Sequence, residues 1–351
     1  MSIAPDRHAR IEGTALPGRR SRAATLCTLL LGGLLILMAG CEKATPLSKD
    51  SETVRLGLPL QPSSALLIVA LETGAFADVG IAPVVTEYPS GRSALSDGLL
   101  VGREDLVSVA DVPVALAGFE GEPVRVIASL FSSDNVNRVV ARRSLGITAP
   151  EDLAGRRVAT QRGSAVHFFW HLFSLDHRMH APNRLVYLTP EELPGALAEG
   201  RIDAFSMREP FVTEAGTLIG EDVLVFSAPG LYVQHELLVT DEATTRERGE
   251  LLGAVIRAML AAEDYCRDEP AAAQALVAAR LGVPLQKVAD LWSGMELSVR
   301  LDQGLLLLLE EEARWALHAG LLPPADMPNY LDIIDTGPLD GERPRAVTLI
   351  R

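Results

Sequence analysis

The sequence predicts an α/β protein of two lobes joined by a hinge, with a helical C-terminal segment. From Thr53 onward, short β-type runs alternate with helix-type runs, which is the order expected of parallel sheets covered by helices on both faces. The alternation comes in two blocks, and after Thr240 it gives way to long amphipathic helices. A length of 351 residues, 48% of them hydrophobic, is enough for about two domains with sizeable cores.

The pattern assigns the individual elements in chain order. Strands are predicted at 53–58, 82–87, 105–110, 124–130, 136–142, 156–160, 184–188, 202–206 and 222–226. Helices are predicted at 64–77, 91–100, 112–119, 164–179, 190–199, 210–219, 241–267, 270–281, 284–293 and 302–320. The extended segment 231–240 is predicted to carry the chain back to the first block. We therefore expect lobe 1 at 53–140 and 237–351, and lobe 2 at 141–236.

The N-terminus reads as an export signal. Three arginines within 19–22 precede an uncharged run over 23–40, and this run ends in small residues before Cys41. Residues 37–41 resemble a lipobox, in which the cysteine is acylated and becomes the new N-terminus. We therefore predict a lipoprotein signal peptide at 1–40. An uncleaved anchor helix and a buried helix remain alternatives, because the run is just long enough to cross a bilayer.

Charge and cysteine content limit the classes of function. Removal of 1–40 takes away five arginines and two acids, so the net charge moves from −14 to about −17. Such a surface disfavours nucleic acid, which needs a basic footprint. Of Cys27, Cys41 and Cys266, only the last remains as a free thiol, so neither an internal disulfide nor a cysteine-based metal site is expected. The polar residues 41–52 are predicted to be a tether.

Small or polar residues occupy the predicted loops that lead from strands into helices. Such loops lie at the carboxyl ends of the strands, where open α/β sheets bind ligands. The residues in question are Ser63, Ser64, Ser90, Gly91, Asp111, Gly163 and Ser164. Two sheets that face one another in this way would define a ligand cleft.

The segment 161–169 begins one of these helices. Gly163 and Ser164 precede it, and Ala165 and His167 lie in its first turn. Free backbone N–H groups and the helix dipole favour an anion at such a position. The alternative is that Ser164 only caps its own helix.

Three arginines, Arg92, Arg162 and Arg208, lie on predicted cleft-side loops of an otherwise acidic chain. A guanidinium pairs well with a carboxylate, sulfonate or phosphate, so these residues favour an anionic group on the ligand. Asp111 and Glu209 leave room for a zwitterion. Glu209 either meets an amine of the ligand or caps the helix that follows it.

Catalytic motifs are absent from the sequence. It contains no nucleophile elbow, His-Glu-x-x-His zinc pair, phosphate P-loop or Cys–His pair. We interpret His167 as a packed residue, and we assign the Leu305–Leu309 run to a buried helix face. The aromatic residues that follow His167 are assigned to the core; they are Phe168, Phe169, Trp170 and Phe173. We therefore expect no enzyme activity, no metal and no cofactor.

The order of the motifs resembles the nitrate, sulfonate and taurine class of solute-binding proteins from ABC importers, which also contains binders of thiamine-pyrimidine precursors. The resemblance runs from about Val54 to Ile350. The matching motifs are PSG at 89–91, DVP at 111–113, GSAVHFF at 163–169, REPFV at 208–212, LDQGLLLLLEEEARWALHAG at 301–320, MPNYLD at 327–332 and VTLI at 347–350. The resemblance implies the type II periplasmic-binding-protein fold, whose C-terminal segment returns to the first lobe.

The resemblance also implies a ligand position between the lobes. The residues expected near the ligand are Ser63, Ser64, Ser90, Asp111, Gly163, Ser164, His167 and Glu209. One departure from the class pattern stands out. Members often have tryptophan before the Glu-Pro pair, whereas this chain has Arg208, so a charge replaces an apolar or stacking wall.

Residues and resemblance together predict a monomeric, lipid-anchored solute-binding protein on the periplasmic side of the cell membrane or on the cell surface. It is expected to capture a small organic anion or zwitterion, such as a sulfonate, taurine or nitrate, and to deliver it to an ABC permease. Three alternatives remain. They are a binder of a pyrimidine-type thiamine precursor, a sensor subunit that reports its ligand to a membrane partner, and an enzyme on the same fold.

Overall fold

The computed structural model describes residues 51–179 and 184–350. The predicted signal peptide, Cys41 and almost all of the predicted tether lie outside the described residues. Within these two ranges, no helix combines the length and the apolar character that a membrane crossing requires.

The helices and strands of the described ranges alternate as follows. The strands are β1 (Glu52–Pro59), β2 (Ile81–Tyr88), β3 (Leu106–Ala110), β4 (Val124–Ser133), β5 (Arg138–Arg142), β6 (Arg157–Thr160), β7 (Arg184–Tyr187), β8 (Ala204–Met207), β9 (Val223–Phe226), β10 (Gln234–Asp241) and β11 (Glu296–Arg300). The helices are α1 (Ala65–Glu72), α2 (Ala75–Asp78), α3 (Gly91–Ser93, continued by a π-helix at Ala94–Leu99), α4 (Asp111–Phe119), α5 (Ala165–Asp176), α6 (Glu192–Ala198), α7 (Phe211–Ile219), α8 (Glu242–Glu247), α9 (Gly249–Asp268), α10 (Pro270–Leu281), α11 (Leu285–Trp292), α12 (Gln303–His318) and α13 (Gly337–Glu342).

The strands form two sheets. Sheet 1 has the order β11-β4-β10-β3-β1-β2, in which β1 is parallel to β2 and β3 whereas β10 is antiparallel to β3 and β4. Sheet 2 has the order β7-β6-β8-β5-β9, in which β6 is parallel to β7 and β8 whereas β5 is antiparallel to β8 and β9. The chain passes from sheet 1 to sheet 2 through a first crossover (134–137) and returns through a second one (227–233).

The core explains why these elements pack together. The β3 sequence LVSVA is buried along its whole length, as expected of a strand covered on both faces. Sheet 2 has its own core, in which Phe205 packs with Leu193 and Leu197 of α6. A further core is shared by both sheets and joins α5 to Trp315 of α12. The α5 aromatics predicted to be core are buried there; they are Phe168, Phe169, Trp170 and Phe173.

Three details of the predicted elements were wrong. The helix predicted at 64–77 is interrupted because Gly74 adopts a left-handed φ of +80°, which ends α1 before α2 begins. The helix predicted at 241–267 breaks at Arg248, where φ is −128° and the guanidinium turns away to donate to Glu52 of β1. Strand β11 was not predicted, because it is a short edge strand between helices that pairs only with β4.

Candidate functional site

The loops at the carboxyl ends of the two sheets meet. Gln161, after β6, donates from Nε2 to Ser90 Oγ, after β2, at 2.9 Å. Ser90 also caps α3, since its Oγ accepts from Ser93 N at 3.1 Å. Gly91 lies so close to β3 that a Cβ would be 2.8 Å from Val109 Cα, so the close approach of this helix start requires glycine. The predicted cleft-side loops therefore face one another.

Arg208 is the most unusual residue between the sheets. It follows β8 and is buried, yet its Nε and Nη1 atoms have no hydrogen-bond partner among the described residues. Burial lowers the pKa of Arg208, and the nearby charges of Glu236 and Asp111 act in the opposite direction. A buried donor without a partner costs about 1–3 kcal/mol, and a charged one costs more. The guanidinium is therefore positioned for an acceptor that the described protein residues do not provide.

Other buried polar atoms without partners in the described chain occur at the ends of both sheets. Arg138 of β5 pairs with Met207 of β8 in an antiparallel ladder. Asn137, which precedes Arg138, and Arg208, which follows Met207, therefore lie opposite one another at the end of this ladder. Asn137 Oδ1 has no partner in the described ranges. On the side of sheet 1, Ser64 Oγ and both side-chain amide atoms of Gln234 also lack a hydrogen-bond partner in the described ranges. We call Ser64, Asn137, Arg208 and Gln234 the inner cluster. Their side chains contain both hydrogen-bond donors and acceptors that the described residues leave without partners.

A buried carboxyl group lies near Arg208 of the inner cluster. Glu236 of β10 accepts from Gln61 Nε2 at 2.9 Å, and from Ser63 Oγ and Ser108 Oγ at 2.7 Å each. Burial raises the pKa of Glu236, while these donors and Arg208 act against that rise. Ser63 is thus committed to holding Glu236, whereas its neighbour Ser64 is free to meet a ligand.

Asp111 belongs to a second buried acidic group. Its carboxylate accepts from Val112 N at 2.9 Å, from His235 N at 2.7 Å and from the Tyr232 hydroxyl. The same hydroxyl contacts Glu312 Oε1 at 3.0 Å. Tyr232 has a single hydroxyl hydrogen, so one of the two carboxyl groups must be protonated. Burial raises the pKa of both, and Glu312, which has fewer donors, holds the proton.

The loop before α5 is arranged around His167. Gly163 has a left-handed φ of +64° and donates its N–H to His167 Nδ1 at 3.3 Å. The proton of the neutral ring is therefore on Nε2, and burial lowers the pKa of His167 to about 4. Ser164 is the N-cap residue of α5, as in the alternative in which it caps its own helix, but its Oγ donates to Gln161 O at 2.7 Å and makes no capping bond. Ala165 is fully buried beside it.

Two predicted ligand residues line cavities whose walls include no member of the inner cluster. Glu209 accepts from Thr213 N at 2.9 Å, as in the alternative in which it caps its helix, and lines a separate cavity with Arg138. Arg92 lines another cavity together with Arg162 and Gly163. No group of three His, Cys, Asp or Glu side chains in the described part of the chain is placed to hold a metal ion.

Several residues at this site were missed by the sequence reasoning. They are Asn137, Tyr232, Gln234, Glu236 and Glu312. All but Glu312 lie in or beside the two crossovers, which the search for strand-to-helix loops did not cover. A signal was available for Glu312, which lies on the apolar face of α12, but not for Glu236, whose strand QHELLVTD contains several other polar residues.

Comparison with known proteins identifies relatives. Residues 61–273 match the family described as NMT1/THI5 like. A protein of Bacillus subtilis (strain 168), named for the binding of aliphatic sulfonates, is 27% identical over 204 residues, which are 56% of this chain and 60% of the relative. A relative with the same name from Escherichia coli (strain K12) is 23% identical over 205 residues, 58% of this chain and 64% of the relative. The chain thus aligns with less than two thirds of each relative.

Solved structures share the fold. The periplasmic aliphatic sulphonate binding protein SsuA from Escherichia coli has a TM-score of 0.64 at 19% identity, with 81% of this chain and 97% of that chain covered. The alkanesulfonate-binding protein SsuA from Xanthomonas axonopodis pv. citri, bound to MOPS, has a TM-score of 0.69 at 19% identity, with coverages of 82% and 99%. These likenesses confirm the predicted periplasmic-binding-protein fold.

The same fold also occurs in an enzyme. The desulfurization enzyme DszB has a TM-score of 0.57 at 19% identity, with 84% of this chain and 99% of that chain covered. Fold alone therefore does not separate binding from catalysis. The family match is more specific, because it covers more than half of the chain and includes the loops after β1, β2, β3, β6 and β8. The resemblance to the sulfonate and nitrate class of ABC solute-binding proteins is confirmed, and the chain belongs to the NMT1/THI5-like family.

Proposed function

We propose that this protein is a receptor that captures a small zwitterion or organic anion between its two lobes and delivers it to an ABC permease. The observation that carries the proposal is the buried Arg208, whose Nε and Nη1 atoms lack partners in the described chain. An acidic group of a ligand would supply the missing acceptors. Each charge-assisted hydrogen bond is worth about 1.5–3 kcal/mol, and a few of them provide most of the roughly 8 kcal/mol of a micromolar complex.

The charges around Arg208 favour a zwitterion over a simple anion. Glu236 and Asp111 both act on the Arg208 guanidinium, and both are buried. Both carboxyl groups accept hydrogen bonds and act on the charge of Arg208, so a pure anion would compete with them for the guanidinium. A ligand that carries an amine as well as an acidic group adds no net charge. Aminosulfonates have this combination.

The lobes proposed are 53–140 with 237–351, and 141–236, although β5 joins sheet 2 from Arg138 and β10 joins sheet 1 from Gln234, a few residues across these bounds. The contact between Gln161 and Ser90 supports closure of the two lobes over the ligand. A ligand stabilises the closed form only through contacts that it makes better in that form. Unpaired donors from both lobes meet that requirement, because Ser64 and Arg208 lie on different sheets. No chemical step is proposed, and turnover of a bound ligand would instead support the enzyme alternative.

A second candidate ligand is a pyrimidine. The amide of Gln234 has an unpaired donor and an unpaired acceptor, which match the edge of such a heterocycle. A sensor role in place of delivery uses the same site and differs only in the membrane partner.

Anchoring through acylated Cys41 is part of the proposal. The acidic chain then stays at the outer face of the cell membrane. Cell fractionation of Cys41→Ala tests it: the variant should leave the membrane fraction, and a variant that remains there would contradict the anchor.

Isothermal titration calorimetry distinguishes the ligand classes. Taurine and MOPS each join an amine to a sulfonate, ethanesulfonate lacks the amine, and hydroxymethylpyrimidine lacks the sulfonate. We expect the zwitterions to bind more tightly than ethanesulfonate, and the pyrimidine not to bind. Arg208→Gln should weaken binding by about tenfold or more. The exposed Arg143→Gln serves as a matched control and should leave it unchanged.

Equal affinity of wild type and Arg208→Gln for the sulfonates would overturn the proposal. Binding of hydroxymethylpyrimidine alone would favour the second candidate.

A further inference from the structure

Glu236 lies on the same side of sheet 1 as two members of the inner cluster. It is two residues after Gln234 on β10, so these two side chains point to the same face of the sheet. The segment that follows β1 covers this face, since its residues Gln61 and Ser63 both bond to Glu236. Ser64 is the next residue of that segment. Glu236 is therefore part of the wall that sheet 1 contributes to the inner cluster.

The carboxyl group of Glu236 is buried, and both of its oxygens accept hydrogen bonds. Gln61 Nε2 donates to Oε1 at 3.0 Å and to Oε2 at 2.9 Å. Ser108 Oγ donates to Oε1 and Ser63 Oγ donates to Oε2, at 2.7 Å each. Donors on both oxygens stabilise the ionised form. Glu236 is therefore a carboxylate whose position is fixed by three side chains.

Glu236 does not occupy the unpaired donors of Arg208. The Nε and Nη1 atoms of Arg208 have no hydrogen-bond partner among the described residues. Burial lowers the pKa of Arg208, and among the charges that oppose this effect Glu236 acts most strongly and Asp111 less. Glu236 therefore compensates the buried guanidinium from the opposite sheet and leaves these two donors for a solute.

Asp111 is less suited to this role. Its carboxylate accepts from the Tyr232 hydroxyl, which also contacts Glu312, and from the main-chain N–H of His235. These contacts join the start of α4 to the return crossover, to β10 and to α12. The hydrogen bonds of Asp111 therefore hold elements of the fold together, whereas those of Glu236 hold a charge in front of Arg208.

The charge of Glu236 affects which solutes Arg208 can bind. Charges in a buried site act strongly on one another, because little water screens them. The acidic group of a simple anion at Arg208 would be repelled by the Glu236 carboxylate. A positive group elsewhere on the same solute offsets this repulsion. An uncharged side chain at position 236 would remove it.

We propose that Glu236 is the residue that makes the inner cluster select a zwitterion over a simple anion, because it is the fixed counterion of Arg208. The four hydrogen bonds that Glu236 accepts occupy the lone pairs of its carboxylate, so it acts on the solute through its charge and not through direct contact. This role rests on the proposed function, in which the acidic group of the solute binds Arg208.

Calorimetry with a matched pair of solutes tests the role of Glu236. Taurine and ethanesulfonate share a sulfonate and a two-carbon chain, and only taurine has an amine. In Glu236→Gln, the ratio of the ethanesulfonate to the taurine dissociation constant should fall by about tenfold relative to wild type. Glu236→Asp keeps the charge and should keep the wild-type ratio, even where both affinities drop. The exposed Glu311→Gln is the control and should keep it as well.

The result against this role is an unchanged ratio in Glu236→Gln. Arg208→Gln separates that result from a failure of the proposed function. Wild-type affinity in Arg208→Gln contradicts the proposed function, whereas weaker binding there, together with an unchanged ratio in Glu236→Gln, contradicts only the role of Glu236.

Thermal melting tests the charge pair even where no sulfonate binds. The amide of Glu236→Gln can still accept from Ser108 and donate to the Ser63 hydroxyl, but it leaves the buried guanidinium uncompensated. The double variant Arg208→Gln/Glu236→Gln should therefore melt at a higher temperature than Glu236→Gln. If Glu236→Gln does not fold, a folded double variant supports the counterion role. An unfolded double variant, with Arg208→Gln folded, contradicts it.

Discussion

Arg208 and Glu312 are both buried and ionisable, but they differ in their hydrogen-bond partners. Arg208 has donors without partners in the described chain, whereas the protonated Glu312 contacts the Tyr232 hydroxyl, which donates to Asp111. Tyr232 belongs to the return crossover, Glu312 to α12 and Asp111 to the start of α4. The group of Asp111, Tyr232 and Glu312 therefore fixes the crossover to the C-terminal helix, which is a structural role, while the unpaired donors of Arg208 are the ones that we propose for a solute.

Protonation of Glu312 predicts a particular dependence of stability on pH. Burial raises its pKa in the folded protein well above the ordinary value of 4.5. The stabilising contribution is therefore complete below pH 4.5 and is lost as the pH rises toward the folded-state pKa. Glu312→Gln stays neutral and should lack this loss. Its free energy of unfolding relative to wild type should rise by up to about 1.4 kcal/mol per pH unit within that window.

Urea unfolding at a series of pH values measures this difference. The exposed neighbour Glu311→Gln is the control and should follow the wild type. Parallel pH profiles for wild type and Glu312→Gln would mean that Glu312 is ionised in the folded protein.

At the scale of elements, the positions of strand ends and helix starts were predictable from the sequence. The hydrogen-bond partners of the polar side chains at these positions were not. The strands β1 to β10 follow apolar runs, and the aromatic residues of α5 were correctly assigned to the core. The hydrogen-bond partners of several of these side chains are residues distant in sequence. Ser63 is held by Glu236, and Asp111 is held by Tyr232. Such pairings depend on how the crossovers return to sheet 1, which local patterns do not contain.

Of the two breaks within predicted helices, one had a local signal and the other did not. Gly74 could have indicated the end of α1, since glycine is the usual residue at a left-handed helix end. Arg248 gave no such signal, because its departure from helical geometry accompanies contacts with β1.

The loop between β6 and α5 gives a prediction about closure. Gly163→Ala places a methyl group 3.1 Å from Leu116 Cδ2, across the boundary between the sheets, and strains a left-handed φ of +64°. We expect weaker solute binding by about 1–2 kcal/mol, or about five- to thirtyfold. Gly146→Ala is a matched control, because Gly146 has a φ of +76° and nothing within 4 Å of an added Cβ.

Calorimetry with MOPS, together with thermal melting, compares the two glycine variants. Both should lose similar stability through backbone strain, and only Gly163→Ala should lose affinity. Equal loss of affinity in both variants would argue against a role of the Gly163 contact in closure.

At the scale of the whole molecule, two features act together. The two sheets have separate cores but share a third one, in which α5 of one side packs against α12 of the other. The inner cluster contains polar side-chain atoms, from both sheets, that have no hydrogen-bond partner in the described chain. The account is therefore that apolar packing keeps the two halves attached, while a solute supplies the polar contacts that favour the closed arrangement.

Small-angle X-ray scattering of the purified protein with and without saturating MOPS tests this claim most directly. The account predicts that the radius of gyration falls when the wild type is just saturated with MOPS, and that it falls less for Arg208→Gln at the same MOPS concentration. An unchanged radius of gyration in the wild type with bound MOPS, or an equal fall in Arg208→Gln, would contradict it.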